Sequence, residues 1–357
     1  MRVRMSNESG KGRKRAIVSG GLGVIGRNLV DHLSAHDDWE IIALSRRSAD
    51  FPSAARFVPV DLLDETAARP VLAGLGPVDY IFHAAYQEHA RPADQVAVNL
   101  ALLRNLVTGV EAAGLARVVL YEGAKYYGVH LGPFTTPARE DDPRHMPPNF
   151  YYDQEDWLAE NSKGKAWDYC VLRPDVVCGF AVGSPMSLIM VLAVYAAISR
   201  ELGRPLRFPG TPDCYGRLAQ VTDAGILARA STWAATQAPP NQAYNVTNGD
   251  LFRWYRLWPK LAAMFDMAVG EPQTIRLIDF MADKAPVWDR VVAKYGLTPI
   301  PYERAAAWGF GDFVFRCDFD VISSTTKIRQ AGFADIVDSE DMFARMFAEL
   351  RRRRVIP

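Results

Sequence analysis

Gly20, Gly23 and Gly26 stand at three-residue intervals directly after the apolar run Ala16-Ile17-Val18-Ser19. Glycine at that spacing permits a sharp turn, lets backbone amides approach a pyrophosphate, and lets a following helix pack closely on the strand before it. The chemistry this offers is anion binding by bare backbone, since the open N–H groups and dipole of a helix N-terminus favour phosphate. It needs a strand before the turn and a helix after it. Ala16 to Ser19 supplies the first, and the amphipathic pattern running to Leu33 supplies the second. Gly20, Gly23, Val24, Ile25 and Gly26 are therefore expected around a dinucleotide.

Glu40 to Ser45 reads as the second strand, and its end is where such a fold selects its cofactor. An acidic residue about twenty positions beyond the glycine turn would accept from the ribose 2′-OH of NAD. Ser45, Arg46 and Arg47 stand there instead. Two guanidinium groups can fork onto a 2′-phosphate that a carboxylate would repel, so the expected cofactor is NADPH. Asp50 lies too far along to serve as the acid. Phe57 to Val60 reads as a third strand running into Asp61 and Leu62, with Asp61 suited equally to the adenine edge or to an N-cap.

Val78 to Ala85 reads as the fourth strand, its small Ala84-Ala85 ending letting the cofactor lie against the backbone. His83 there is expected to be a hydrogen-bonded structural residue. Arg117 to Tyr121 reads as the fifth strand. Strands alternating with helical stretches predict an α/β fold, a Rossmann-type doubly wound parallel sheet, with ligands beyond the C-terminal strand ends. Lys125, in the loop after the fifth strand, should then face the crevice.

The composition narrows the partners. With 41 basic and 41 acidic residues the net charge is +0, so no overall field argues for nucleic acid or a membrane surface. The four cysteines, Cys170, Cys178, Cys214 and Cys317, lack the spacing of a disulfide framework or zinc site, and a cytoplasmic location is expected. His32 and His36 share a helix face without a third ligand nearby, so no metal is expected. The longest apolar run, Leu188 to Ile198, is shorter than the ~20 residues of a membrane helix and reads as a buried one. Residues 1–15 form a basic arm, expected to be flexible. Residues 16–180 read as the dinucleotide domain, with a return segment near 216–236, and 181–357 mainly as a smaller, interleaved substrate lobe. Within that lobe, the segment 269–301 is expected to cover the pocket.

Together with the glycine turn, Leu172-Arg173-Pro174 and Gly179 make the chain resemble an extended short-chain dehydrogenase/reductase. That superfamily usually carries Tyr-x-x-x-Lys on one helix, a turn apart. The spacing occurs at Tyr121 and Lys125, but on a strand and its loop four residues span ~13 Å, which separates the two groups. The run Asn149-Phe150-Tyr151-Tyr152-Asp153-Gln154-Glu155-Asp156 opens a helix with an acid four residues beyond either tyrosine. The positive charge must come from elsewhere, and Lys125 can supply it from across the crevice.

Gly123-x-Lys125-x-Tyr127, the NFYYDQED run, Arg173-Pro174, Val194 to Ile198 before Leu206-Arg207-Phe208-Pro209-Gly210, Tyr244 to Asp250, and Trp308-x-Phe310-Gly311-Asp312 resemble the progesterone 5β-reductase/iridoid synthase family. The resemblance implies NADPH-dependent 1,4-reduction of the C=C bond of enones, with Tyr151 and Lys125 as the catalytic pair. Hydride addition at the β-carbon leaves charge on the carbonyl oxygen, which Tyr151 would stabilise or protonate while the ammonium favours its anion. Tyr151, Pro174, Val176 and Val177 are expected against the cofactor, and Tyr86, Tyr127, Phe150, Tyr152, Phe180, Met186 and Trp308 around the substrate. Tryptophans Trp254 and Trp258 are further candidates for that apolar lining. Glu122-Gly123 stands where the family usually has Thr-Gly, Tyr126 where it commonly has His, and Ala84-Ala85-Tyr86 where plant members have Val-Thr-Trp. These departures bear on the choice of substrate. The expected partner is a small apolar enone, with a homodimer as the expected assembly. The other readings are carbonyl/alcohol oxidoreduction by the same pair and a non-catalytic NADP-sensing regulator.

Overall fold

A computed structural model describes residues 12–49 and 51–357; residues 1–11 of the basic arm, and Asp50, lie outside the described residues. The main sheet has seven parallel strands: β1 (Lys14–Ser19), β2 (Trp39–Ser45), β3 (Arg56–Pro59), β4 (Tyr80–His83), β5 (Arg117–Tyr121), β6 (Asp168–Pro174) and β7 (Gln242–Val246). Their order is β7-β6-β5-β4-β1-β2-β3. β1 begins at Lys14, so the end of the basic arm is already paired, Lys14 opposite Trp39. β4 is shorter than the run 78–85: pairing stops at His83, and Ala84 to Tyr86 leave the sheet to border the crevice.

The helices on this sheet are α1 (Val24–Ser34), α2 (Glu65–Ala73), α3 (Pro92–Val110), α4 (Phe150–Asn161) and, after the second lobe's α5 (Leu188–Glu201), α6 (Ala224–Thr236). Strand alternation divides the core. Ala16, Val18, Ile41 and Phe82 pack with Leu29 and Leu33 of α1 and Ile226 and Trp233 of α6. Ile17, Ile42, Ile81 and Val118 pack on the opposite face with Leu72 of α2, Leu106 of α3 and Leu158 of α4. Each such valine, leucine, isoleucine or phenylalanine contributes roughly 1.5–3 kcal/mol relative to exposure. The helical stretch Pro92–Ala113 is long and apolar enough to match a membrane span by composition, and here Leu103, Leu106 and Val107 bury its apolar side on the sheet.

A second core forms the other lobe. Its centre is α5, whose residues Leu188 to Ile198 are all buried, together with α7 (Trp254–Met264), α8 (Ala285–Tyr295), α9 (Trp308–Val314) and α10 (Ser339–Arg352). Trp258 and Trp288 are fully buried there, and their indole N–H groups donate to the Leu206 and Ile300 carbonyls at 3.1 and 2.9 Å. The four cysteines are free thiols.

Candidate active site

The chain moves from one side of the sheet to the other between β3 and β4, and the crevice opens where β1 and β4 lie side by side. Gly20 turns there with φ +68°, and a Cβ added to it would lie 2.4 Å from the Ala84 carbonyl oxygen. One added to Gly26 would lie 2.3 Å from the Gly20 carbonyl oxygen. Gly26 therefore serves close packing of α1 on the turn, while Gly20 and Gly23 floor the groove with backbone. α1 starts after Gly23 with no side-chain cap, leaving its first N–H groups to an anion. Ser19 joins the two strand ends: its hydroxyl accepts from Ala85 N–H at 3.3 Å and lies 3.0 Å from His83 Nδ1. Burial depresses the His83 imidazole to about 3. The ring is a neutral hydrogen-bonded group, although it also borders the cavity.

Toward β2 the groove continues as a cavity of about 200 Å³ lined by Ser45, Arg46, Arg47, Asp61 and Leu62. Both arginines are exposed, and the Ser45 hydroxyl donates to the Arg47 carbonyl, shaping the loop. Asp61 is not the helix cap. Its carboxylate accepts from Leu63 N–H at 3.0 Å, and Asp64 caps α2 by accepting from Ala67 N–H at 3.0 Å. Bare glycine floor, open helix N-terminus and two cations at one end together fit a dinucleotide phosphate chain.

Toward β5 and β6 lies an inner cavity of about 270 Å³. Lys125 and Tyr151 both line it, with Val24, Ile25, Ala84, Ala85, Pro174, Val176 and Val177. Lys125 sits in a short turn after β5, and Tyr151 in the first turn of α4. Asn149 ties the two: its Oδ1 accepts from Tyr151 N–H at 3.2 Å and its amide donates to the Lys125 carbonyl at 2.8 Å. The phenol oxygen lies beside Gly123, 3.5 Å from where a Cβ would stand. Burial, and then the carboxylates of Glu122, Glu88 and Asp175, raise the Tyr151 phenol above its ordinary value. Against the expectation that the Lys125 ammonium favours its anion, the charges that bear on this group are anionic. The phenol therefore holds its proton more tightly than a free tyrosine does. Tyr121 has no part in the pair, its hydroxyl donating to Ser231 at 2.7 Å on the far side of the sheet.

Beneath this pair is a buried ion cluster. Arg173 Nε donates to Glu122 at 2.7 Å, another guanidinium nitrogen lies 3.2 Å from Glu155, and the guanidinium stands 3.3 Å from the Tyr126 ring centre. Burial outweighs the guanidinium's attraction and raises the Glu122 carboxyl. The unusual Glu122 and Tyr126 thus belong to one packed unit with Arg173.

The aromatic lining differs from expectation. Phe150, Tyr86 and Met186 do line the inner cavity, with Phe150 stacked against Tyr86 at 5.4 Å. Tyr127 and Tyr152 do not. Their hydroxyls need buried partners and find them elsewhere, Tyr127 donating to Asn245 at 2.6 Å and Tyr152 to the Tyr126 carbonyl at 2.6 Å. Phe180 is drawn away beneath the Arg27 and Arg353 guanidiniums, 4.6 and 4.7 Å from its ring centre. Trp308 packs beside Tyr302, and Trp254 and Trp258 are core residues. Phe310 and Phe313, one turn apart on α9, close the cavity instead. The segment 269–301 contributes no residue to the cavity lining and gives Leu277, Val287 and Trp288 to the second core. Sequence reasoning also passed over Gln154, one turn beyond Tyr151, and Asp175, directly after Arg173-Pro174.

A family described as a PRISE-like Rossmann-fold domain matches residues 60–357. An (S)-8-oxocitronellyl enol synthase from Nepeta racemosa is 32% identical over 96% of this chain and 91% of its own. The short chain dehydrogenase gsfE of Penicillium aethiopicum is 30% identical over 96% of this chain and 99% of its own. Among solved structures, the UDP-glucose 4-epimerase of Thermus thermophilus, in complex with NAD, superposes with a TM-score of 0.66 at 18% identity, covering 94% of this chain and 99% of that one, a likeness of fold. The chain belongs to the PRISE-like Rossmann-fold family, the progesterone 5β-reductase-like branch of the short-chain dehydrogenases, and is an oxidoreductase of that kind.

Proposed function

We propose that this chain catalyses NADPH-dependent 1,4-reduction of the C=C bond of α,β-unsaturated carbonyl compounds. The observation that carries the reading is the placement of Tyr151 and Lys125 on one cavity that opens onto the glycine turn. Arg46 and Arg47 would hold the 2′-phosphate, the turn the pyrophosphate, and Ala84, Ala85, Pro174, Val176 and Val177 the nicotinamide end. When bound, the reduced nicotinamide supplies a hydride to the substrate β-carbon.

The chain's own residues do the rest. Hydride arrival at the β-carbon pushes the C=C electron pair toward the carbonyl, and the enolate oxygen becomes the strongest acceptor in the site. Tyr151, protonated and buried, offers that oxygen a hydrogen bond that strengthens as charge develops. Lys125 adds positive charge beside the developing enolate and can hold the cofactor ribose. Phe310, Phe313 and Met186 exclude water and suit a small apolar enone. The name of the Nepeta relative contains an enol, the species that conjugate hydride addition to an enal produces.

The test is NADPH consumption with linear, cyclic and steroidal enones beside saturated ketones. The reading expects loss of the C=C bond with the C=O retained. Turnover of saturated ketones but not enones overturns it in favour of carbonyl oxidoreduction.

A further inference from the structure

Asp175 begins the bend that leaves β6 and lines the inner cavity. Its side chain is buried, and Oδ2 has no hydrogen-bond partner among the described residues. Its backbone, by contrast, is held on both sides. The N–H donates to the Thr222 hydroxyl at 3.1 Å, and that hydroxyl donates back to the Asp175 carbonyl at 2.6 Å. The next residue, Val176, has φ +33°, a conformation a β-branched residue adopts only under constraint. A braced, strained turn therefore keeps one oxygen of this carboxyl without a partner in the cavity wall, while the Val176 N–H bonds the carboxyl. Arg173, two residues away, is committed to Glu122 and Glu155. Burial pushes the Asp175 carboxyl up to about 7, so its acid form persists near neutral pH.

We propose that Asp175 is the acid that protonates the substrate α-carbon, an inference that rests on the enone-reductase reading. Hydride addition leaves an enolate with an electron pair shared between oxygen and α-carbon. The new C–H bond forms from that pair, the Asp175 O–H bond breaks, and the carbonyl C=O is restored. The carboxylate regains its proton from water. A chamber of about 30 Å³ behind Asp175, bordered by Arg217 and Gln220, has room for one. Tyr151 and Asp175 then divide the work, the phenol serving the oxygen and the carboxyl the carbon. The product leaves as the saturated carbonyl, its α-proton set on one face, and not as an enol that collects its proton in bulk solvent.

The experiment is reduction of 2-methylcyclohex-2-enone by NADPH in D₂O, sampled before exchange. The native enzyme should place deuterium on one face of the α-carbon. The nearly isosteric Asp175→Asn should still bind NADPH, turn over roughly 100-fold more slowly, and scatter deuterium over both faces. A variant with native rate and face selectivity overturns the proposal and leaves the reductase reading standing; if neither protein reduces any enone, both fall. Equal deuteration of the two faces by the native enzyme overturns it whether or not the variant folds. Independently of turnover, the infrared spectrum of the ligand-free protein below neutral pH should contain a protonated-carboxyl band that disappears in Asp175→Asn. A spectrum unchanged by the substitution counts against the proposal.

Discussion

The side-chain amide of Asn149 donates to the backbone carbonyl of Lys125 at 2.8 Å. Because Asn149 also caps α4 through Tyr151 N–H, one side chain spans the loop that bears the ammonium and the helix that bears the phenol. Asn149→Ala should cost about 1 kcal/mol of stability for the lost cap. It should also lower kcat by roughly 10-fold, with a smaller change in KM, because the two groups lose their common reference point. Thermal melts and steady-state kinetics read the two effects separately. A variant that melts earlier but keeps its kcat would show that Asn149 caps a helix and does nothing more.

In the proposed NADPH reading, cofactor choice rests on Arg46 and Arg47, which line one end of the groove. Replacing both with alanine should weaken NADPH binding by roughly 10- to 100-fold, the range of one or two charge-assisted hydrogen bonds, and leave NADH nearly unaffected. Equal losses for both cofactors, measured by fluorescence titration, would place the two side chains outside the 2′-phosphate site.

Stability should respond to pH below neutrality through two opposed contributions. The Asp175 carboxyl ionises near 3.8 when unfolded and at about 7 in the native state. Between those values the native state binds the extra proton, so this group's contribution falls as pH rises from about 4 to about 7. His83 acts in the opposite sense. Its depression from 6.5 to about 3 means that stability is lost as pH falls through that interval, since the unfolded chain takes up the proton. Asp175→Asn removes the opposing contribution, so stability should climb more steeply with pH between about 4 and 7 in denaturant titrations. An unchanged slope over that interval contradicts this assignment.

The nucleotide half of the site was legible because its chemistry is local. A glycine turn, its strand and its helix are contiguous, and β5 falls where the run Arg117 to Tyr121 places it. The far wall was not, for a geometric reason. Tyr127, Tyr152, Phe180 and Trp308 have the right character for an apolar pocket, but which way a ring points depends on partners remote in the chain: Asn245 for Tyr127, and Arg27 and Arg353 for Phe180. Phe310 lay inside a motif already singled out, and only the rotation of α9 brings it and Phe313, in preference to Trp308, to the cavity. The protonation state of Tyr151 was hidden in the same way. It follows from burial and from three carboxylates brought together by β4, β5 and β6, none of them adjacent to the tyrosine in sequence.

The central claim is that the buried phenol of Tyr151 gives a hydrogen bond to the oxygen on which charge develops. Tyr151→Phe removes that donor and little else, so the direct measurement is enone-dependent NADPH oxidation by this variant beside its NADPH affinity. The account predicts a loss of turnover of roughly 100-fold or more with affinity nearly intact. Full residual turnover accompanied by lost cofactor binding would contradict it.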